Sequence, residues 1–72
     1  MSHKHQFPHS TSISECEYHP DTKDMHITFA SGGKHCFHDV DVDTFEYFKA
    51  AKSPGSYFHT NIRKVYKSSK LD

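Results

Sequence analysis

Little in this chain is long, oily or strongly charged. No apolar run approaches the roughly 20 residues that a bilayer-crossing helix needs, so such a helix is excluded. The opening Met1-Ser2-His3-Lys4-His5-Gln6-Phe7-Pro8-His9 lacks the apolar stretch of a secretory signal, and the expected location is cytoplasmic. There are only two cysteines, Cys16 and Cys36. A disulfide would need their Cα atoms within about 7 Å, and reduced thiols are the expectation for a cytosolic chain. Net charge is also missing: nine Lys and Arg balance nine Asp and Glu. That balance argues against strong nonspecific nucleic-acid binding, which depends on many phosphate contacts. At 72 residues the chain is one small domain, with no room for a deep enzyme cleft and a lid.

Aromatic residues are plentiful, six Phe and four Tyr. Large rings bury much area per residue, which lets a thin core hold. The charges are unevenly placed. Residues 1–46 carry three Lys against eight acids, a net of −5, and residues 47–72 carry five Lys and Arg63 against Asp72, a net of +5. This asymmetry hints at a polar partner surface, but a solvated helix face with a basic tail is the preferred reading, because charge patterning alone is a weak signal.

Residues 1–10 are polar, His-rich and without period, and read as a flexible arm. Ile13 to Tyr18 reads as a strand. His19-Pro20-Asp21-Thr22-Lys23-Asp24 is a turn, because Pro fixes φ and Asp closes Asx-type turns. Met25-His26-Ile27-Thr28-Phe29 alternates apolar and polar, the period of a half-buried strand. Ser31-Gly32-Gly33 signals a hairpin. His35-Cys36-Phe37-His38 is a third strand, with His35 and Phe37 on one face and Cys36 and His38 on the other.

A helix follows, with Phe45, Phe48 and Ala51 or Lys52 sharing one side at 3–4 spacing. Asp41 and Asp43 suit its positive end, and Asp43 with Glu46 resembles a capping box. Pro54-Gly55 ends it. Ser56 caps a second short helix reaching about Lys64, with Phe58, Ile62 and Val65 as its apolar members. Residues 67–72 read as a basic flexible tail. The predicted fold is α+β: a three-stranded antiparallel β-meander, then one main helix and a second short helix packed on one face.

In their order, these residues resemble the KTSC domain family, named for its occurrence at the C-terminus of some lysyl-tRNA synthetases. The resemblance is carried by Ser10, Ser12, Ile13 and Tyr18, then by Met25, Ile27, Phe29, Ser31 and Gly32. Val40 leads into the helix, and Ala51, Ser53, Gly55, Tyr57, Phe58, Ile62, Arg63 and Tyr66 complete the set. It covers about residues 10–66, so the expected domain spans 11–66. Three positions depart from the family pattern. A central Tyr-x-Tyr is His35-Cys36-Phe37 here, a Pro at the helix start is Asp41, and the Asn after Phe58 is His59. The resemblance implies a domain of unknown function with a suggested RNA-binding role. It also implies an origin in a bacterium or phage, where stand-alone copies occur.

The candidate nucleic-acid patch is Tyr57, Arg63, Lys64, Tyr66 and Lys67, with Lys70 adding charge. Arg pairs with phosphate through a planar fork, and Tyr offers a stacking face to an unpaired base. In the competing structural reading the tyrosines pack on the core and Arg63 bridges to the acidic half. Zinc is the weaker alternative, through Cys16, His19, Cys36 and His38, because the spacing matches no finger. Cys16 reads better as a small core hydrophobe. His3, His5 and His9 offer at most loose metal binding.

No nucleophile–base–orienter set is visible, so no enzyme and no cofactor are expected. Cys36 and His35 point to opposite faces, and His38 lies about 7 Å along the strand from Cys36. Two function classes remain, beside a bare structural or accessory domain of a bacterium or phage whose partner comes from its host context. One is a small binding module for RNA or single-stranded nucleic acid. The other is a protein-interaction module, self-associating or not, using the open sheet face of His26, Thr28, Cys36 and His38.

Overall fold

The computed structural model describes residues 2–71. Its sheet has five antiparallel strands in the order of the sequence, not three: β1 His3–Gln6, β2 Ile13–His19, β3 Asp24–Phe29, β4 Lys34–Phe37 and β5 Ser68–Lys70. The helices α1 Val42–Ala50 and α2 Pro54–Phe58 come between β4 and β5, followed by a π-helical turn, His59–Arg63. The α+β class and the meander of β2, β3 and β4 agree with expectation. The two extra strands come from the segments read as a flexible arm and a flexible tail. β1 pairs His3 with Tyr18 and Gln6 with Glu15, and β5 pairs Lys70 with His35 and Ser68 with Phe37. Neither added strand has an apolar residue, so no period announces it. Each forms because an open sheet edge offers unpaired backbone groups that need partners.

Register sorts the side chains. Cys16 lies opposite Ile27, Tyr18 opposite Met25, and Met25 opposite Phe37, so these form the covered face. Ile13 also points inward, although it is three residues from Cys16. A β-bulge between Ile13 and Glu15 inserts one residue and restores both side chains to the core. The helices bring Phe45, Phe48, Phe58 and Ile62 onto this face. Tyr18 stacks on Phe45 at 4.9 Å, and its hydroxyl donates to the Val40 carbonyl at 2.6 Å, joining the sheet to the entrance of α1. Phe7, just beyond β1, packs on Phe48 at 4.9 Å.

The helix ends differ from the sequence reading. Asp41 is the N-cap of α1 and makes no side-chain cap bond, so the Asp43–Glu46 capping box does not form. The backbone at Asp41 is extended and delivers Val40 to the core, fully buried. Pro54 does end α1, but it also opens α2 at a first-turn position, where a missing N–H costs nothing. Ser53, not Ser56, is the N-cap. The chain then widens into π-helical winding, which breaks the 3.6 phase. Ile62 stays buried with Phe58, while Val65 is turned out of the core and is 63% exposed.

Candidate functional site

A cleft of about 570 Å³ opens where α2 and the π-helical turn lean over the β3–β4 hairpin and β5. Its wall is a run of rings. Phe58 meets Phe29 edge-on at 5.3 Å and Phe37 edge-on at 5.4 Å, and His35 meets Phe29 edge-on at 5.5 Å. Phe37 and Phe58 are buried, whereas Phe29 and His35 keep part of their surface in the cleft. Ser12, Gly55 and Ser68 line the remainder. Gly55 is there for space: a Cβ on it would sit 3.0 Å from the Ser12 hydroxyl oxygen, so glycine lets α2 close on the start of β2.

The mouth carries the polar groups. Arg63 and His59 lie four residues apart in the π-helical turn, with the guanidinium 3.5 Å from His59 Nδ1. Both are exposed, and His59 rests against Phe58 at 5.6 Å. No carboxylate among the described residues pairs with Arg63. Arg63 therefore does not bridge to the acidic half of the chain. It stands as an available cation beside an aromatic surface.

The other residues predicted for the patch sit elsewhere. Tyr57 is half-buried and stacks on Phe48 at 5.9 Å; burial, then Tyr66 and Tyr47, push its hydroxyl pKa up. Tyr66 is half-buried and exchanges a 2.8 Å hydrogen bond with the Thr44 hydroxyl. Together with Lys67 it borders a different groove, which also has Asp39 and Asp41. Lys64 is exposed at the end of the π-helical turn, and Lys70 is exposed on β5. Arg63 is thus the one member of the set that lines the aromatic cleft. Sequence reasoning missed Phe29, His35 and His59 there. The signal was present, since His35 and His59 are two of the three departures from the family pattern.

The zinc quartet is not assembled. Cys16 lies on the covered face, fully buried, and its thiol is pushed up to about 12, chiefly by loss of solvent. Cys36 and His38 are on the opposite face, as alternation predicted. Their side chains lean together to 3.8 Å, and Asp24 rather than His19 joins them.

The KTSC domain family model matches residues 9–66. The chain belongs to the KTSC domain family. A KTSC domain protein from Yersinia pestis, known from a crystal structure, matches over 100% of both chains with a TM-score of 0.91 and 22% identity. At that identity the likeness speaks for the fold alone. It extends over β1 and β5, beyond the matched family segment. No curated protein matches this KTSC chain.

Proposed function

We propose that this KTSC domain is a non-enzymatic cytoplasmic binding module for single-stranded nucleic acid, with RNA as the first candidate. The observation that carries the reading is Arg63, without a carboxylate partner among the described residues, at the mouth of a ring-lined cleft. An unpaired base has a flat face for Phe29 and His35, and its phosphate suits the Arg63 fork, with His59 beside it. The cleft volume of about 570 Å³ lies within the range of about 300–1,000 Å³ usual for small-ligand sites, so it suits one or two nucleotides rather than a duplex. His35 and His59, where the family pattern has Tyr and Asn, would set what this chain prefers.

The test is an NMR titration of labelled protein with short single-stranded RNA and with tRNA, at low and moderate salt. Shifts are expected at Phe29, His35, Phe58, His59 and Arg63. Arg63→Ala is expected to abolish them and leave the fold intact, since the side chain is exposed. Binding retained in that variant overturns the reading. Silence with every nucleic acid moves the assignment to the second class, a protein partner or a second copy on the open sheet face.

A further inference from the structure

On the uncovered face of the sheet, opposite the cleft, three metal-ligating side chains converge from two strands and the turn after them. Asp24 begins β3, Cys36 is in β4, and His38 follows β4. His38 Nδ1 stands 3.2 Å from Asp24 Oδ1 and 3.8 Å from Cys36 Sγ, and all three ligand atoms lie within 4.8 Å of one another. Zinc bonds of about 2.3 Å to sulfur and about 2.0–2.2 Å to nitrogen and oxygen put tetrahedral neighbours about 3.2–3.6 Å apart. The two pairs that involve His38 are already near that spacing, and the third pair has to close further.

Two more features favour a bound cation. The far nitrogen of the His38 ring, Nε2, is 3.0 Å from the Ser69 hydroxyl. An Nε2–H donating to that oxygen leaves the Nδ1 lone pair facing Asp24 and Cys36, the outer-shell arrangement that orients ligating histidines. The backbone is also fixed: the Val40 N–H donates to the Lys23 carbonyl at 2.8 Å, and the His38 N–H to the Lys67 carbonyl at 2.9 Å. These bonds hold the ends of β3, β4 and β5 in place, so few rotations separate the cluster from coordination.

We propose that Asp24, Cys36 and His38 form a zinc site, with water as the fourth ligand and Ser69 as the residue that positions His38. The donor set of thiolate, imidazole and carboxylate suits zinc and disfavours magnesium and calcium, which take oxygen. Binding forms the zinc–sulfur bond and releases the Cys36 thiol proton to solvent. Asp24 and His38 are each about one-third to two-fifths exposed, which gives the ion its entry. A bound ion would tie β3 to β4 and, through Ser69, to β5, a strand with no buried residue of its own.

The experiment is zinc titration calorimetry on the metal-free full chain, with cobalt(II) absorption as the readout of sulfur ligation. One ion per chain and a thiolate-to-cobalt charge-transfer band are expected. Cys36→Ser should erase the band, and Asp24→Asn or His38→Ala should weaken zinc by at least about 100-fold, while Ser69→Ala should cost about 10-fold. Asp24 and His38 are partly exposed, so those variants keep the test sound if Cys36→Ser does not fold. A combined His3→Ala, His5→Ala, His9→Ala variant should bind as the parent does. Absence of a cobalt band in the parent, or zinc binding that follows the three N-terminal histidines instead, overturns the site. The cleft and this cluster lie on opposite sheet faces, so neither result depends on the other.

Discussion

Single residues do unlike jobs here that share a type. Tyr18 is a buried connector: its ring stacks on Phe45, and its hydroxyl satisfies the Val40 carbonyl at 2.6 Å. Tyr18→Phe keeps the ring and orphans that carbonyl. Denaturant unfolding is expected to show a loss of about 1–3 kcal/mol, the usual cost of an unpaired buried polar group. The two cysteines also differ. Cys16 is fully buried, and desolvation raises its thiol from 9.0 to about 12. A folded-state pKa above the unfolded one means the unfolded chain ionises first as pH rises. The stability linked to Cys16 is therefore intact below pH 9 and is lost between 9 and about 12. Melting scans across that window should show a steeper fall for the parent than for Cys16→Ala. Burial raises Tyr18 and Tyr57 in the same direction, so some alkaline slope should remain in the variant.

At the scale of elements, α1 is the lid of the core, and it was legible. Phe45 and Phe48 share a face at 3–4 spacing, and both are buried. Phe48 touches Phe7 at 4.9 Å and Tyr57 at 5.9 Å, so it binds the β1 side and α2 to the same point. Phe48→Ala is expected to cost about 3–5 kcal/mol in chemical denaturation. No loss would mean that α1 packs through another face. The second helix was legible only as a segment. Its start moved to Pro54 because a proline that ends one helix can open the next. Its end changed type: Phe58 and Ile62 stay on the buried side, and the wider π-helical winding between them and Val65 leaves Val65 in solvent. That turn is also what brings His59 and Arg63 to one edge. β1 and β5 were illegible, since His3-Lys4-His5-Gln6 and Ser68-Ser69-Lys70 hold no pattern, only backbone groups that match an edge.

At the scale of the whole molecule, charge sets the strength of any nucleic-acid contact. The chain is neutral overall, so binding through the cleft rests on Arg63 and one or two neighbours rather than on a basic surface. Each phosphate contact to a single strand contributes about 0.7 to the slope of log affinity against log salt. A shallow slope of about −1 to −2 is expected from fluorescence titrations over a salt series. A much steeper slope would point to the lysines of residues 47–72 acting together, and a flat one to a partner recognised without phosphate.

The sequence by itself determined the α+β class, the central meander, the main helix and the family. The first three are written in local spacing: alternation for Met25, Ile27 and Phe29, 3–4 spacing for Phe45 and Phe48, and glycine in the Ser31-Gly32-Gly33 turn, where Gly32 takes φ +107°; the family came from the resemblance of the ordered residue set. It also marked Arg63. Tertiary structure alone decided the two edge strands, the bulge that turns Ile13 inward, the cleft around Phe29, His35 and His59, and the meeting of Asp24 with Cys36 and His38. The physical reason is common to all of them. Edge pairing, register shifts and side-chain convergence depend on groups far apart in the chain, and no short-range period encodes a partner 14 or 31 residues away, as for His38 with Asp24 and with Ser69.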